Sequence, residues 1–163
     1  MVQALKFRNT LLQSKAVTFD AVITADYESI IHTFKMNCQC DFTDQMKFTV
    51  LEPSSISGIT GTISQDNGKI EFDDKALLFD TIADGQITPI SAPWVMMLAM
   101  KSGYIKGAGT NEDGYLFQLD DSYKENALNL NLQMNKDCLP VFAEVFYDGR
   151  RVVSISIENF EIL

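Results

Sequence analysis

Apolar residues fall at every second position over most of this chain. From Val17 the odd positions read Val17, Phe19, Ala21, Ile23, Ala25 and Tyr27, with Thr18, Asp20, Val22, Thr24 and Asp26 between them. The apolar set then moves to even positions, Ile30, His32, Phe34, Met36, Cys38, Cys40 and Phe42, opposite Thr33, Lys35, Asn37, Gln39 and Asp41. Met46, Phe48 and Val50 alternate with Gln45, Lys47 and Thr49, and Leu128, Leu130, Leu132 and Met134 with Asn129, Asn131 and Gln133. Shorter runs are Tyr115, Phe117 and Leu119; Ile70 and Phe72; and Val153, Ile155 and Ile157. A period of two gives each strand one dry and one wet face, the mark of an antiparallel sheet. Turn signals at Asp66-Asn67-Gly68, Asn111-Glu112-Asp113-Gly114 and Asp148-Gly149 sit at hairpin spacing. About ten strands fit, ordered largely as an up-and-down meander. With no tandem repeat, low-complexity tract or linker, residues 1–163 are expected to form a single domain.

Three segments depart from alternation. Residues 2–14 carry Leu5, Arg8, Leu11 and Leu12 at helical spacing, which predicts an amphipathic N-terminal helix. Residues 53–57, before Gly58, read as one short helical turn. In the third, Ser91 can cap a helix with Pro93 in its first turn, and Gly103 can end it. Between them lies Trp94-Val95-Met96-Met97-Leu98-Ala99-Met100, apolar on every side. A helix resting on one sheet face needs only one apolar stripe, so this one must be covered all round. Lying inside the concavity of a strongly curved sheet would achieve that. Its three methionines suit either a plain core filler or the wall or lid of an adaptable ligand cavity.

Composition narrows the functional classes. Apolar residues make up 46% and charged residues 21% of the 163, so the chain can bury an ordinary core. The formal charge is −9, and Lys and Arg form no block. That argues against a nucleic-acid partner and against direct docking on an anionic membrane. The apolar run at residues 94–100 is too short to span a bilayer, and no export signal is visible at the N-terminus.

No catalytic constellation emerges. His32 is the one histidine and lies on the mostly apolar face of a strand, as a cavity-lining or core residue would. Along one strand it sits about 20 Å from Cys38, too far for a nucleophile pair or a shared zinc ion. The G-x-S-x-G elbow of serine hydrolases is missing. Asp73-Asp74, Glu112-Asp113 and Asp120-Asp121 read as solvated turn residues without calcium-loop spacing. Gly107-Ala108-Gly109 opens no helix and so is no dinucleotide loop. Neither a metal nor another cofactor is expected. Cys38 and Cys40 point the same way about 6.6 Å apart, which suits a direct bridge poorly. Three free thiols are favoured; a disulfide, if one forms, would join Cys138 to one of them.

The order of these elements carries a resemblance. A helix precedes long alternating strands, the third ending in Val50-Leu51-Glu52-Pro53 before Ser54-Ser55-Ile56-Ser57-Gly58-Ile59-Thr60-Gly61. A DNG turn and Lys69-Ile70-Glu71-Phe72 follow, then the apolar helix. The end runs from Leu139-Pro140-Val141 through Tyr147-Asp148-Gly149 to Val152-Val153-Ser154-Ile155-Ser156-Ile157-Glu158-Asn159-Phe160. Over nearly the whole chain this resembles the LolA/LolB-like lipoprotein carrier superfamily, including Gram-positive envelope members similar to spore-germination lipoproteins. The resemblance implies a mainly β half-barrel with an N-terminal helix and short lid helices. It implies a non-enzymatic, extracytoplasmic domain, lipid-anchored in its full-length precursor, that holds an acyl chain or other hydrophobic ligand. Phe34, Met36, Phe48, Trp94, Met96, Met97 and Met100 are then the expected cavity lining. The alternative is a structural envelope domain, its core filled by its own side chains, that partners another envelope protein. Arg8, Arg150 and Arg151 find no match to a ligand-contacting arginine of the carriers.

Overall fold

The computed structural model describes residues 1–41, 45–64, 70–72 and 79–163. Phe42, the Asp66-Asn67-Gly68 turn and Asp73-Asp74 lie outside them. Helix α1 (Val2–Gln13) leads into β1 (Ala16–Asp26), β2 (Ile31–Asp41), β3 (Gln45–Glu52), β4 (Thr60–Ser64) and β5 (Ile70–Phe72). Helix α2 (Ala92–Ser102) follows. Then come β6 (Tyr104–Asn111), β7 (Gly114–Asp120), β8 (Asn129–Asn135), β9 (Pro140–Tyr147) and β10 (Arg150–Ile162).

The strands form one ten-stranded antiparallel sheet, curved and unclosed, in the order β5-β4-β3-β2-β1-β10-β9-β8-β7-β6. It is two five-stranded meanders joined at the middle, where the first and last strands pair with Ala21 opposite Ile157 and Ile23 opposite Ile155. The crossover between the meanders runs from one outer strand, β5, to the other, β6, and carries α2.

Alternation places the core. In β1 every odd residue from Val17 to Ala25 is buried, and in β2 so are Phe34, Met36, Cys38 and Cys40, while Thr33 and Gln39 are exposed. Met46, Phe48, Val50, Phe117, Leu119, Leu130, Leu132, Met134, Val153, Ile155 and Ile157 join the same apolar cluster. Ile30 does not: with Ile31 it stands exposed at the tip of the β1–β2 hairpin, where the chain reverses through the Tyr27 N–H bond to the Ile30 carbonyl. All three cysteines are free thiols.

Two turns follow their side chains closely. Asp148 (φ 50°) and Gly149 (φ 76°) form the two-residue reversal between β9 and β10, both in the left-handed region such hairpins need. At the β6–β7 turn the Asn111 carboxamide oxygen accepts from the N–H groups of Asp113 and Gly114, each at 2.9 Å. Residues 53–58 form a turn, closed by the Ile56 N–H on the Pro53 carbonyl, and not a helix.

Helix α1 buries only Leu11 of the expected leucines and adds Ala4 and Phe7. Ala4, Phe7 and Leu11 face the core, whereas Leu5 and Leu12 are 52% and 55% exposed. Both stripes have helical spacing. The inner one wins through the Phe7 ring, which reaches Phe160 at 6.4 Å, while Ala4 lets the helix lie close.

Candidate functional site

Helix α2 is the structural centre of the candidate site. It packs against α1 and against β2, β7 and β10, so both meanders touch it. Ala92, Pro93, Trp94, Met96, Met97, Ala99 and Met100 are buried, and the half-buried Val95 and Leu98 also pack on the core. The all-round covering expected for this helix is present.

Its two ends are held differently. Ser91 occupies the N-cap position but gives its side chain no capping role toward the helix. Its hydroxyl instead donates to the Thr88 carbonyl and accepts from the Thr88 N–H, while the Thr88 hydroxyl accepts from the Ser91 N–H. Ser91 thus closes the turn before the helix. At the other end Gly103 is extended (φ −68°, ψ 166°), not left-handed. A side chain there would meet the Ala99 carbonyl oxygen at 2.6 Å and the Asp120 carbonyl oxygen at 2.7 Å. Close approach, not backbone conformation, makes this position a glycine.

The last carbonyls of α2 converge on Arg8. Its Nε donates to Met100 O at 2.8 Å, and its Nη2 to Ala99 O at 3.1 Å and Gly103 O at 2.7 Å. A helix C-terminus is partly negative and short of donors, and although Ala99 O also accepts the Gly103 N–H at 2.8 Å, one guanidinium answers the charge and supplies further donors. Burial lowers the pKa of Arg8, with Tyr123 acting in the opposite direction, and the group keeps its charge.

The segment before α2 is strapped to both meanders. Tyr27, just past β1, donates to the Asp80 carbonyl at 2.6 Å, and Tyr147, at the end of β9, donates to the Asp84 carboxylate at 2.7 Å. Burial, then the Asp80 charge, pushes Tyr27 up to about 12. Phe79 stacks on Phe34 at 4.7 Å and meets His32 edge-on at 5.2 Å. His32 also meets Tyr27 at 5.6 Å, so its surroundings are aromatic.

Phe34, Met36, Phe48, Trp94, Met96, Met97 and Met100 are all buried in one continuous apolar cluster. The first three stand on the inner faces of β2 and β3, the other four on α2. The hollow bounded by Ala4, Phe7, Arg8, Met100, Ile105, Phe117, Leu119 and Leu132 measures only about 10 Å³. A much larger depression of about 650 Å³ is open to solvent on the polar side of β1–β3, among Thr18, Gln39, Lys47, Leu12 and Leu163. It shares none of the seven residues. Sequence reasoning missed Arg8 as the partner of α2; its one signal was a cation beside the Ala4–Phe7–Leu11 stripe. Among the described residues no cluster of His, Cys, Asp and Glu could hold a metal ion, and no helix is long and apolar enough to cross a membrane.

An open, curved antiparallel sheet with an apolar helix packed against both of its halves defines the fold class. Solved structures similar to this chain include an uncharacterized conserved protein from Thermus thermophilus, with 11% identity, a TM-score of 0.50 and coverage of 99% of this chain and 86% of that one. A LolA superfamily protein from Nitrosomonas europaea matches at 9% identity and a TM-score of 0.47, over 99% and 92% of the two chains. MucB, in the MucA/MucB complex of Pseudomonas aeruginosa, matches at 8% identity and a TM-score of 0.43, over 98% of this chain and 56% of that one. The likeness to the Thermus protein is one of fold alone. None of the three is described as a Gram-positive envelope lipoprotein, so that narrower part of the resemblance stands unsupported. No protein-family model and no curated protein matches the sequence.

Proposed function

We propose that this chain is a non-enzymatic, extracytoplasmic domain that binds an acyl chain or similar hydrophobic ligand on the concave face of its sheet, with α2 as a displaceable plug. The carrying observation is α2 itself. A helix without a polar face packs against β2, β7 and β10 and is pinned at its C-terminal end by Arg8. Met96, Met97 and Met100 can repack around a flexible guest, with Phe34, Met36, Phe48 and Trp94 as the remaining wall. Residues 1–163 then act as one domain, and lipid anchoring of a longer precursor belongs to the same reading. The described hollow beside Met100 measures about 10 Å³, too little for an acyl chain, so on this reading a guest entering there moves the helix.

The tight packing at that one hollow is the observation behind a second reading, a filled-core domain that works through a protein partner. Titration with micromolar palmitate separates the two. Trp94 is the one tryptophan and sits in the first turn of α2, so plug displacement should shift or quench its emission saturably. Unchanged emission in folded protein, across several acyl chain lengths, would leave the filled-core reading.

A further inference from the structure

We propose that the depression of about 650 Å³ on the polar side of β1–β3 binds a small amphiphile with an oxyanion head, a carboxylate or a phosphate monoester, and a short apolar tail. It lies away from α2 and includes none of the seven residues assigned to the acyl chain. Its volume falls within the roughly 300–1,000 Å³ of small-molecule sites.

Strand register builds the polar wall. Thr18 stands opposite Gln39, and Gln39 opposite Lys47, so these three form one row across the sheet. Gln45, two residues before Lys47, shares its face, and Lys15 lies in the link between α1 and β1. Elsewhere on this side of the sheet polar side chains satisfy one another. Thr24 meets Thr33 at 3.3 Å, Asn37 donates to Asp20 at 2.9 Å, and Lys35 reaches Glu158 at 3.3 Å. Around the depression Lys15, Thr18, Gln39, Gln45 and Lys47 have no such side-chain partner among the described residues.

Charge selects the head. Lys35, Lys106, Arg150 and Arg151 each face a carboxylate, whereas Lys15 and Lys47 do not, although the chain carries −9. Asp41 also borders the depression, opposite Gln45, and is engaged in an interaction of its own. Two ammonium groups beside hydroxyl and amide donors suit a ligand rich in acceptor oxygens. The other wall selects the tail. Leu12 and Leu163, among the more exposed large apolar side chains, both border the depression, together with Ala16. Leu12 belongs to the stripe of α1 that the core leaves unused. A bare anion would leave these leucines wet, and a neutral lipid would leave the lysines without a counter-charge. An amphiphile meets both.

Nuclear magnetic resonance titration of the full chain with octyl phosphate tests this. The amides of Thr18, Gln39 and Lys47 report on the depression, and the Trp94 indole reports on α2. Saturable shifts are expected at the first three with half-saturation at about 1 mM or below, while Trp94 stays unmoved. Failure here is thus distinguishable from failure of the acyl-chain reading. Octanoate, run alongside, identifies the preferred head, and saturable binding of either acid supports the site. Inorganic phosphate, with no tail, and octyl glucoside, with no charge, should each bind at least roughly tenfold more weakly than the better acid. Lys47→Glu should weaken binding roughly tenfold or more by replacing attraction with repulsion. Leu12→Gln should weaken binding of the octyl acids and leave inorganic phosphate unaffected. Both positions are exposed, so both variants should keep the fold. The proposal is overturned if neither acid shifts these amides saturably up to about 10 mM. It is equally overturned if folded Lys47→Glu binds as the unaltered chain does, or if inorganic phosphate or octyl glucoside binds as tightly as the acids.

Discussion

Arg8 fixes α2 through three carbonyl oxygens, a fork that no other side chain can reproduce. Arg8→Ala would remove the charged donor from the part-buried Met100 and Gly103 oxygens, while Ala99 O keeps the Gly103 N–H, and should cost about 1.5–3 kcal/mol, the range for hydrogen bonds to charged groups. Urea unfolding should show this as a lower midpoint at unchanged slope, and Arg8→Lys should recover only part of it. Titratable groups make a second residue-scale statement. Burial raises Cys38 and Cys40 well above the usual thiol range, and it raises Tyr27 to about 12. For these acids the folded state holds the proton more tightly than the unfolded chain. Their contribution is complete below the unfolded values, near 8.5 for Cys and 10 for Tyr, and is lost as pH climbs toward the folded ones. Stability should therefore fall from about pH 8.5 upward and more steeply above about pH 10. A stability curve flat from pH 8 to 11 would contradict that sign. In the native protein Cys138, only partly covered, should react with a thiol reagent before the other two.

At the scale of elements, α2 shows both what the sequence disclosed and where it stopped. Its boundaries and its need for cover could be read from Ser91, Pro93, Gly103 and the unbroken apolar run, because those signals are local. The strands were legible for the same reason: each has one wet and one dry face, so Phe34, Met36, Cys38 and Cys40 announce their side by alternation alone. The face of α1 was legible only in part: of Leu5, Arg8, Leu11 and Leu12, Leu11 is buried, but the rest of the inner stripe is Ala4 and Phe7, at a spacing as helical as the expected one and selected by the Phe7–Phe160 packing. Nor was the size of the hollow beside α2. Residual volume depends on how side chains from distant strands meet α2, which no local pattern encodes. The glycines illustrate the same divide. Gly149 follows from hairpin chemistry, and Gly149→Ala should cost about 1 kcal/mol through its positive φ alone, as open space surrounds it. Gly103→Ala should cost more despite an ordinary φ, because its Cβ would collide with two backbone oxygens. Thermal midpoints of the two variants should fall in that order.

For the whole molecule the decisive feature is the seam between β1 and β10. Hairpin signals connect neighbours along the chain, but nothing local tells the first strand to pair with the last, so the meander was legible and its central joint was not. Ala21 meets Ile157 only after nearly the whole chain has been placed, and such non-local pairing makes for folding in milliseconds to seconds, not microseconds. The seam also decides whether the molecule melts as one body. Were β1–β10 a weak joint, the two meanders would unfold separately. Against this, Val17, Ala21, Ile23, Val153 and Ile155 are buried on both sides of the seam, and α2 packs on β2, β7 and β10 at once. A single transition is therefore expected, with calorimetric and van't Hoff enthalpies equal and far- and near-ultraviolet dichroism coincident. Ile155→Ala, at a fully buried seam position opposite Ile23 and Ala143, should lower that one transition by about 2–5 kcal/mol without splitting it. If heating instead resolves two transitions, and Ile155→Ala moves only one of them, the meanders are separate cooperative units and the single-domain reading of residues 1–163 fails.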